Sequence, residues 1–338
     1  MPSGEREEPD VAGIVLVGGL GTRLRPITYS VPKQLIPVAG QPILYHAMDL
    51  LPPRVRRIVL ACGYKAEAFR AYLAAHPYRR PVTLVPESTP LGTGGGLKNV
   101  AAEASDPFFL LNGDVIAGFD LEELWELLQE EGGLGAMSFL EVEDPSPYGV
   151  ATFDGQGRVQ RFVEKPSRES APSRWINAGA SLWRREVLGE IPGGREVSFE
   201  KEVLPGLLPR GILGKCYRAW WEDAGTPERL LHAQRLLFDH PRTDRFTPSA
   251  RLPGARVVPP VAVGRGCAGE GATVGRYVTL GEGVRLGAGS QVEDSVLLDG
   301  VTVGEGARIV RSLVGPGYAV PPGAVVEGAC LARVDPPG

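Results

Sequence analysis

Three glycines stand close to the cationic residues Arg23 and Lys33 near the beginning of the sequence, directly after the apolar run at residues 11–17. Glycine lets a backbone approach an anion closely and point successive N–H groups at it, while Arg23 and Lys33 add full positive charges. Such a segment is suited to binding phosphate. A dinucleotide fingerprint would need a third glycine where Leu24 stands, and a P-loop would need Gly-Lys-Ser/Thr, so the spacing excludes both. The glycines of this segment are Gly18, Gly19 and Gly21.

Two aspartates are candidates for binding a metal ion. Asp114 ends the apolar run FFLLNGD at residues 108–114, and Asp223 lies in the segment WWEDAGTPERL. Carboxylate oxygens and substrate phosphates together satisfy Mg²⁺, but an aspartate at the end of a strand is more often a turn or cap residue. The residues alone therefore leave the role of each aspartate open.

Strands and helices alternate through the first part of the chain. Continuous apolar runs, typical of buried parallel strands, occupy residues 11–17, 56–62, 82–86 and 108–114. Segments of helical period lie at residues 42–51, 66–75 and 120–131. The alternation predicts a doubly wound, Rossmann-like α/β fold, in which ligands bind at the carboxyl ends of the strands. Shorter β-like segments from about 135 to 165 predict an antiparallel substrate-binding insert and hence a mixed sheet.

Apolar residues recur every six positions in the last part of the chain. The repeated positions are Ala262, Ala268, Val274, Leu280, Leu286, Val292 and Leu298, and after one slip Val303 and Ile309. This period predicts a left-handed parallel β-helix, because it puts one inward residue on each face of a triangular coil, whereas an antiparallel sandwich would need period-two alternation. Many hexapeptide β-helices are acyltransferases that use a histidine. All 4 histidines precede the repeat, which argues against acyl transfer.

The chain of 338 residues is long enough for two domains. We expect a polar, disordered tail at 1–10, an α/β domain at 11–240, a linker at 241–256 and the β-helix at 257–338. The net charge of -4 gives no diffuse attraction to nucleic acid or anionic lipid, and no apolar run approaches the ~20 residues of a membrane span. Four cysteines without C-x-x-C spacing favour buried thiols in a reducing cytosol over disulfides or zinc. We therefore expect a cytoplasmic protein with no nucleic-acid or membrane partner.

The phosphate-binding segment at residues 18–44 contains the pattern G-G-x-G-T-R-L-x-P-x-T, followed shortly by P-K. In this pattern the chain resembles the nucleoside-diphosphate-sugar pyrophosphorylases, which are sugar-1-phosphate nucleotidyltransferases. The resemblance implies that the glycine loop binds the β and γ phosphates together with Thr22 and Arg23, and that Lys33 approaches the α phosphate. It also implies that Asp114 and Asp223 are the Mg²⁺ ligands.

The resemblance extends to the segments YGVATFD, RFVEKP and WINAGASLW. The residues that resemble the family's groups for binding sugar hydroxyls are Gly149, Glu164, Asn177 and Gly179. Lys165 resembles the family's clamp on the sugar phosphate, although E-K-P taken alone is only a charged strand end before a turn. Glu200 in FEKEVLP either lies near the sugar, as the resemblance implies, or belongs to a solvated helix face.

Residues 92–99 resemble the family's base-contacting loop, with Gly92 and Thr93 as nucleotide-binding residues. The L-G-T-G-G form is similar to guanylyltransferases for mannose or heptose phosphates, whereas PKQLIPV is more similar to thymidylyltransferases. Glu87 precedes the loop and either accepts a hydrogen bond from a base N–H or is a surface charge. GTP and mannose-1-phosphate are the favoured substrates. The alternatives are glucose-1-phosphate thymidylyl or uridylyl transfer, and a catalytically silent regulatory subunit of the same fold.

The resemblance implies an in-line displacement, in which the sugar-1-phosphate attacks the α phosphorus and pyrophosphate leaves without a covalent enzyme intermediate. The main obstacle is repulsion between two anions, so the reaction needs fixed cations and positioning more than a nucleophile. Arg23, Lys33 and Lys165 are therefore the candidate catalytic residues. We expect the β-helix to pack against the catalytic domain, to assemble a homo-oligomer, or both.

Overall fold

The computed structural model describes residues 10–63, 65–241 and 251–333. The chain divides into two compact units that alternate along the sequence: the first unit comprises Met1–Gly19 and Ala47–Trp220, and the second comprises Leu20–His46 and Trp221–Gly338. One boundary therefore falls inside the glycine-rich segment. The expected tail and most of the expected linker lie outside the described residues, so the domain limits stay a prediction.

The elements before the β-helix follow one another in the order that the sequence pattern indicates. The helices are α1 (Ile43–Met48), α2 (Ala66–Ala75), α3 (Gly92–Asn99), α4 (Glu122–Glu131), α5 (Leu204–Leu207) and α6 (Pro227–Asp239). The strands are β1 (Val11–Leu16), β2 (Pro37–Val38), β3 (Gln41–Pro42), β4 (Val55–Cys62), β5 (Val82–Pro86), β6 (Phe108–Asn112), β7 (Val115–Ala117), β8 (Gly135–Glu141), β9 (Gly149–Phe153), β10 (Val159–Glu164), β11 (Trp175–Trp183), β12 (Ile212–Tyr217) and β13 (Trp221–Asp223).

The first unit is built on a nine-stranded sheet whose main path runs β10-β9-β11-β6-β1-β4-β5. The four strands β6, β1, β4 and β5 are parallel, with Leu16 of β1 beside Asn112 of β6 and Ala61 of β4. These are the four apolar runs that the sequence predicts to be buried parallel strands, and the doubly wound α/β fold is confirmed. The burial prediction is wrong for β5, which ends the sheet path and contains no buried residue. Strand β11 runs antiparallel to β6, so the sheet is mixed.

The segments from 135 to 165 do not form a separate insert. Strands β9 and β10 make an antiparallel hairpin, and β8 pairs antiparallel with β11 and parallel with β12. All of them belong to the main sheet. A local pattern of short strands cannot reveal this, because it indicates which face of a strand is buried and not which neighbour the strand pairs with.

Residues 92–99, expected as a loop, form helix α3 instead. Glycine is a poor helix former, and three consecutive glycines argue against a helix by propensity. The packing explains the difference, because Gly94 and Gly95 lie against the backbone of residues 195–199: a Cβ built on Gly94 would come 3.2 Å from the Val197 carbonyl oxygen. Only a side-chain-free helix fits this space, so tertiary packing overrides propensity.

The second unit contains the C-terminal β-helix. Its strands are β14 (Arg256–Val257), β15 (Val261–Val263), β16 (Thr273–Val274), β17 (Val278–Leu280), β18 (Arg285–Leu286), β19 (Gln291–Glu293), β20 (Val296–Leu297), β21 (Thr302–Val303), β22 (Arg308–Val310), β23 (Leu313–Val314), β24 (Ala319–Val320), β25 (Val325–Glu327) and β26 (Cys330–Leu331). They stack in parallel into three sheets, one for each face of a triangular coil. The predicted hexapeptide β-helix is confirmed.

The repeated apolar positions form the core of this β-helix. Six of them share one buried cluster: Val274, Leu280, Leu286, Val292, Val303 and Ile309. Ala268 is only half-buried. Thr273 pairs with Gln291 and Gln291 with Arg308, so successive coils take 18 and then 17 residues. Arg256 also pairs with Thr273, 17 residues away, so the coil of 18 residues is the longer exception and a strict six-residue period does not persist through every coil.

None of the helices in the described ranges is both long enough and apolar enough to cross a bilayer. All four cysteines are free thiols. Cys62 and Cys267 are buried as expected, whereas Cys216 is exposed. Cys216 lies on β12, which pairs with β8 among the strands that the structure describes.

Candidate active site

The carboxyl ends of the parallel strands bring three predicted site residues of the first unit to one edge of the sheet. Gly18 follows β1, Asp114 follows β6, and Glu87 follows β5. Backbone hydrogen bonds fix these ends, since the Gly113 N–H donates to the Leu16 carbonyl at 2.9 Å and the Glu87 N–H donates to the Cys62 carbonyl at 2.8 Å. This edge is where open α/β sheets bind ligands.

The Glu87 carboxylate lies in a recess that glycines leave open. A Cβ built on Gly18 would come 3.8 Å from its Oε1, one on Gly63 would come 3.1 Å from Oε2, and one on Gly96 would come 2.7 Å from Oε1. The Leu91 N–H donates to Oε2 at 3.2 Å. Burial raises the pKa of Glu87, an effect that the Leu91 hydrogen bond opposes. Of the two interpretations of Glu87, the recess favours a group that recognises a ligand over a surface charge.

The amino-terminal turn of α3 is tied to the segment that contains Glu200. Gly92 has a φ of +70°, which favours glycine, and the Gly94 N–H donates to the Val197 carbonyl at 2.8 Å. The Thr93 hydroxyl donates to Glu200 Oε2 at 2.6 Å. Thr93 therefore holds Glu200 in place, and its predicted contact with the nucleotide stays a prediction.

A pocket in the first unit contains Asn177 and Gly179, both predicted from the resemblance. It is also lined by Asn112, Trp183, Phe199 and Glu200. The Asn177 Oδ1 accepts a hydrogen bond from the Gly179 N–H at 3.0 Å. Glu200 thus faces a pocket and not bulk solvent. The sequence analysis missed Asn112, although it stands two residues before Asp114 at the end of the same strand.

Glu164 and Lys165 form an ion pair beside Gly149. The Lys165 Nζ lies 3.3 Å from Glu164 Oε1, and a Cβ on Gly149 would come 2.9 Å from Glu164 Oε2. Burial raises the pKa of Glu164; Lys165 lowers it, and the negative charge of Glu200 raises it further. Glu164 and Glu200 are therefore close enough to repel each other, as two carboxylates facing one polar ligand would be.

Arg23 and Asp223 meet in the second unit across Gly225. A Cβ built on Gly225 would come 2.8 Å from Arg23 Nη2 and 3.0 Å from Asp223 Oδ1, so only glycine lets both charged groups approach. Arg229, in the first turn of α6, places Nη1 2.6 Å from Asp223 Oδ1 and Nη2 2.6 Å from Glu222 Oε1. The sequence analysis missed Arg229, whose only signal is its position three residues after the helix N-cap Thr226.

Lys33 lies directly behind the turn at Gly21, also in the second unit. Its side chain is only 7% exposed, and Gly21 has a φ of +61°. A Cβ on Gly21 would come 3.2 Å from the Lys33 Cβ, and the Thr28 hydroxyl donates to the Gly21 carbonyl at 2.9 Å. Thr22, next to this turn, is exposed. Glycine is required here both for its backbone conformation and for the space that Lys33 occupies.

The predicted site residues thus fall into two groups, one in each unit. The first-unit group is Gly18, Gly19, Glu87, Gly92, Thr93, Asp114, Gly149, Glu164, Lys165, Asn177 and Gly179. The second-unit group is Gly21, Thr22, Arg23, Lys33 and Asp223. Within each group, neighbouring members contact one another or share a strand end, a turn or a pocket. That both groups act on the same substrates stays a prediction.

The two aspartates suit a magnesium ion in the kind of ligand they offer. In the part of the chain that the structure describes, no three His, Cys, Asp or Glu side chains come together to hold a metal ion by themselves. Mg²⁺ is usually bound through one or two carboxylates together with substrate phosphates and water. Asp114 in the first unit and Asp223 in the second each offer carboxylate oxygens of this kind, and that they bind one ion together with the nucleotide stays a prediction.

Comparison with known proteins assigns the α/β part of the chain to a protein family. The model of a family described as nucleotidyl transferase matches residues 12–240. The chain belongs to the nucleotidyl transferase family. A second model, the GlmU-like C-terminal hexapeptide, matches residues 255–329. The predicted enzyme class, nucleotidyltransferase, is thereby confirmed. The family binds a nucleoside triphosphate and a sugar phosphate, and its members generally use a divalent metal.

Similar proteins cover most of the chain. The mannose-1-phosphate guanylyltransferase of Mycobacterium tuberculosis is 36% identical over 295 residues, covering 86% of this chain and 80% of the relative. The mannose-1-phosphate guanylyltransferase catalytic subunit beta of Drosophila melanogaster is 35% identical over 265 residues, covering 75% of this chain and 71% of the relative. The crystal structure of HddC from Yersinia pseudotuberculosis complexed with GMP-PN superimposes with a TM-score of 0.58 at 29% identity, covering 67% of this chain and 99% of HddC.

Proposed function

We propose that this nucleotidyltransferase joins GTP and mannose-1-phosphate to give GDP-mannose and pyrophosphate, with Mg²⁺ as its metal. The relatives named mannose-1-phosphate guanylyltransferase support the substrate pair. The observation in the structure that carries the proposal is the half-buried Glu87 carboxylate in its glycine-lined recess.

A carboxylate in this recess favours guanine over thymine or uracil. The edge of guanine that carries N1–H and the exocyclic N2–H₂ offers two adjacent donors, and one carboxylate accepts from both. Thymine and uracil offer a single N–H between two carbonyl oxygens, whose lone pairs would face the negative charge. Because Glu87 is partly desolvated, leaving it against such acceptors carries a penalty.

The second-unit group supplies the charge that the phosphates require. Lys33 is nearly buried behind the Gly21 turn, so its ammonium is held in a fixed place, and Arg23 adds a guanidinium beside Asp223. Fixed cations of this kind stabilise the charge that develops as pyrophosphate leaves and need no reorganisation during the reaction. Bound Mg²⁺ would add positive charge on the phosphates, with Asp114 and Asp223 as its protein ligands.

The first-unit group supplies recognition of the sugar phosphate. Glu164, Glu200 and Asn177 present oxygens and an amide N–H₂ that suit sugar hydroxyls. Lys165, whose side chain is 63% exposed, is free to turn from Glu164 toward a phosphate. We assign Lys165 to the sugar phosphate for this reason.

A substrate screen tests the proposal. Pyrophosphate release is measured with GTP, dTTP and UTP, each combined with mannose-1-phosphate and glucose-1-phosphate in the presence of Mg²⁺. We expect GTP with mannose-1-phosphate to give the highest kcat/KM, and chelation of Mg²⁺ to abolish release. A higher value for dTTP or UTP with glucose-1-phosphate would overturn the specificity. No release from any combination would favour the silent regulatory subunit.

The proposal extends to the setting of the enzyme. Nucleoside triphosphates and sugar phosphates are metabolites of the cytoplasm, and the four free thiols suit a reducing compartment. We therefore assign the protein to the cytoplasm, and we expect a homo-oligomer. Light scattering of the purified protein measures the oligomeric state directly, and a monomeric mass at all concentrations would contradict that expectation.

A further inference from the structure

The second half of α6 packs on the β-helix through one fully buried amide. Gln234 has 0% exposure. Its Nε2 donates to the Tyr277 carbonyl at 2.7 Å and to the Ser295 carbonyl at 3.4 Å, and its Oε1 accepts from the Thr279 hydroxyl at 2.5 Å. The Ala39 N–H also points at Oε1, at 3.5 Å. One side chain thus joins α6, two coils of the β-helix and the segment that follows Lys33.

Two further contacts fasten the same face of α6 to the same coils. Arg235 Nε donates to Asp294 Oδ1 at 2.9 Å, and the Tyr277 hydroxyl donates to Asp239 Oδ1 at 2.7 Å. Tyr277 and Asp294 have left-handed backbones, with φ of +59° and +46°. They stand in adjacent coils, since the Asp294 N–H donates to the carbonyl of the residue before Tyr277. The docking of α6 on the β-helix is therefore specific.

Ala39 lies at the tip of the hairpin formed by β2 and β3, six residues after Lys33. The hairpin is short, with Val38 paired to Gln41, and His46 Nε2 contacts the Val38 carbonyl at 2.7 Å. The Lys33 carbonyl accepts from the N–H of Ile36, so the turn that contains Lys33 leads directly into this hairpin. The tip of the hairpin is therefore joined to Lys33 by a short, tightly turned segment.

The opposite end of α6 carries the contact to Asp223. Arg229 in its first turn pairs with Asp223, and the helix spans 13 residues, about 20 Å at 1.5 Å per residue. One rigid helix thus connects the β-helix to Asp223, while Gln234 connects the β-helix to the hairpin after Lys33. Both connections lie within the second unit.

We propose that Gln234 is a positioning residue for nucleotide binding: through it the β-helix fixes the hairpin at residues 37–42 and hence the position of Lys33. The inference rests on the proposed function in one respect, namely that Lys33 binds the nucleotide. It assigns the β-helix a part in the reaction that needs neither a ligand nor an active-site residue in the repeat.

The chemistry of the amide explains why glutamine is suited to this position. A buried amide offers two donors and one acceptor in a fixed plane, so its partners must keep one relative arrangement to satisfy all of them. Leucine at the position would fill similar space but leave the Tyr277 carbonyl and the Thr279 hydroxyl without this partner. A glutamate would place negative charge against the two carbonyls that now accept from Nε2.

The first test uses Thr279→Val in the complete protein without substrate. This change lies wholly in the β-helix and removes the hydroxyl that donates to Gln234 Oε1. Hydrogen exchange of peptides covering residues 33–46 is measured by mass spectrometry. We expect exchange there to rise about fivefold, the effect of losing one hydrogen bond. Gln234→Leu should produce a larger increase, and the double variant should equal Gln234→Leu because both changes break the same link.

Ser312→Ala is the matched control. Ser312 is also a fully buried hydroxyl residue of the β-helix, and its hydroxyl donates to the Val310 carbonyl and accepts from the Ala329 N–H at 3.1 Å. It does not contact Gln234 directly. We expect it to lower thermal stability about as much as Thr279→Val and to leave exchange in residues 33–46 unchanged. If Thr279→Val also leaves that exchange unchanged, or if Ser312→Ala raises it equally, the inference is wrong.

Kinetics provide a second readout that a general loss of stability would not produce. For Thr279→Val we expect the KM for GTP to rise about fivefold, while the KM for mannose-1-phosphate stays within about twofold of wild type. A parallel rise in both constants would overturn the inference. Absence of turnover in the wild type would refute the proposed substrates instead, and the exchange experiment would still decide the role of Gln234.

Discussion

The two groups of site residues differ in the kind of structure that holds them. The first-unit group lies on long strands of a nine-stranded sheet and on the glycine helix α3, and it contains the carboxylates Glu87 and Glu164, whose pKa values burial raises. The second-unit group lies on short 3₁₀ turns and the three-residue strand β13, and it contains Arg23, Lys33 and the ion-paired Asp223. Desolvated acceptors suit selection between ligands, whereas fixed cations suit neutralising phosphate.

The two groups of site residues also differ in the structures that hold them in place. The strand ends that carry Gly18, Glu87 and Asp114 are held by backbone hydrogen bonds of the sheet. Isolated 3₁₀ turns and two-residue strands have few such bonds and depend on packing. In this molecule α6 and the β-helix provide that packing for the second-unit group. The comparison predicts that changes to the second-unit site residues themselves mainly lower kcat, and that changes to the first-unit site residues alter KM and substrate choice.

The largest effect is expected for Asp223→Asn. Loss of one of the two carboxylates proposed to hold Mg²⁺ at the phosphates should lower kcat about a hundredfold, or about 3 kcal/mol, and raise the Mg²⁺ concentration needed for half-maximal rate. Pyrophosphate release over a Mg²⁺ titration measures both. Asp144→Asn, at an exposed turn capped by its own side chain, is the control and should retain wild-type values. A normal Mg²⁺ requirement in Asp223→Asn would remove this residue from the metal site.

Gly94→Ala tests whether packing and not propensity decides the structure of α3. An alanine in a helix ordinarily gains stability, but this Cβ would come 2.9 Å from Val197 Cγ1 and 3.2 Å from the Phe199 nitrogen. We expect a loss of about 2 kcal/mol in the free energy of unfolding, measured with denaturant. Gly206→Ala in α5 meets nothing within 4 Å and should be neutral or stabilising by about 0.5 kcal/mol. Equal responses at the two positions would contradict the packing argument.

Arg229→Gln removes the partner that orients Asp223. Partners of metal ligands typically contribute about tenfold or more to activity, so we expect kcat to fall about tenfold with little change in the KM for mannose-1-phosphate. Steady-state kinetics distinguish this effect from unfolding when circular dichroism confirms the native structure. Arg210→Gln, which removes exposed ion pairs to Glu186 and Glu190, should leave kcat unchanged. An unchanged kcat in Arg229→Gln would show that Asp223 does not depend on this ion pair.

The smallest effect is expected for Glu87→Gln, which keeps one acceptor and removes the charge. The KM for GTP should rise about fivefold at neutral pH, and discrimination against UTP should fall. Because burial raises the pKa of Glu87 above 4.5, the wild-type carboxylate takes up a proton at a higher pH than an ordinary glutamate does, and GTP binding should weaken on acidification from that higher pH. GTP binding by Glu87→Gln should not show this weakening at acidic pH. An identical pH profile in both proteins would exclude Glu87 from base binding.

Protonation of Glu87 affects GTP binding and folding stability in opposite directions. The folded protein holds the Glu87 proton more tightly than the unfolded chain does. The contribution of Glu87 to the free energy of unfolding is therefore greatest at low pH and falls as pH rises through the raised pKa. Glu87→Gln should therefore unfold at a higher temperature than wild type near neutral pH. Scanning calorimetry at two pH values measures the difference.

The sequence predicts strands of the parallel sheet and coils of the β-helix because burial of a strand, or of one position in every six, is recorded directly in residue type. The resemblance to the nucleoside-diphosphate-sugar pyrophosphorylases also singles out Lys33, Asp114 and Asp223, whose roles stay predictions. Helix α3 escaped prediction because the residues that make three glycines necessary, 195–199, lie far away in sequence.

Other features depend on contacts that no local pattern encodes. Arg229 and Gln234 stand on a helix whose pattern indicates only an amphipathic surface segment. Arg229 pairs with Asp223, and Gln234 contacts a coil of the β-helix some forty residues further along the chain. The division of the site residues between two compact units is likewise invisible in a motif that runs without interruption through Gly19 and Gly21.

The most direct measurement of the central claim is a complete kinetic comparison of Lys33→Met and Glu164→Gln with GTP and mannose-1-phosphate. For Lys33→Met we predict a kcat about a hundredfold lower, with a mannose-1-phosphate KM near wild type. For Glu164→Gln we predict a mannose-1-phosphate KM raised about fivefold or more, with a GTP KM near wild type. If both variants instead showed the same pattern of kcat and KM changes, the separation into a charge-neutralising group and a recognition group would be contradicted.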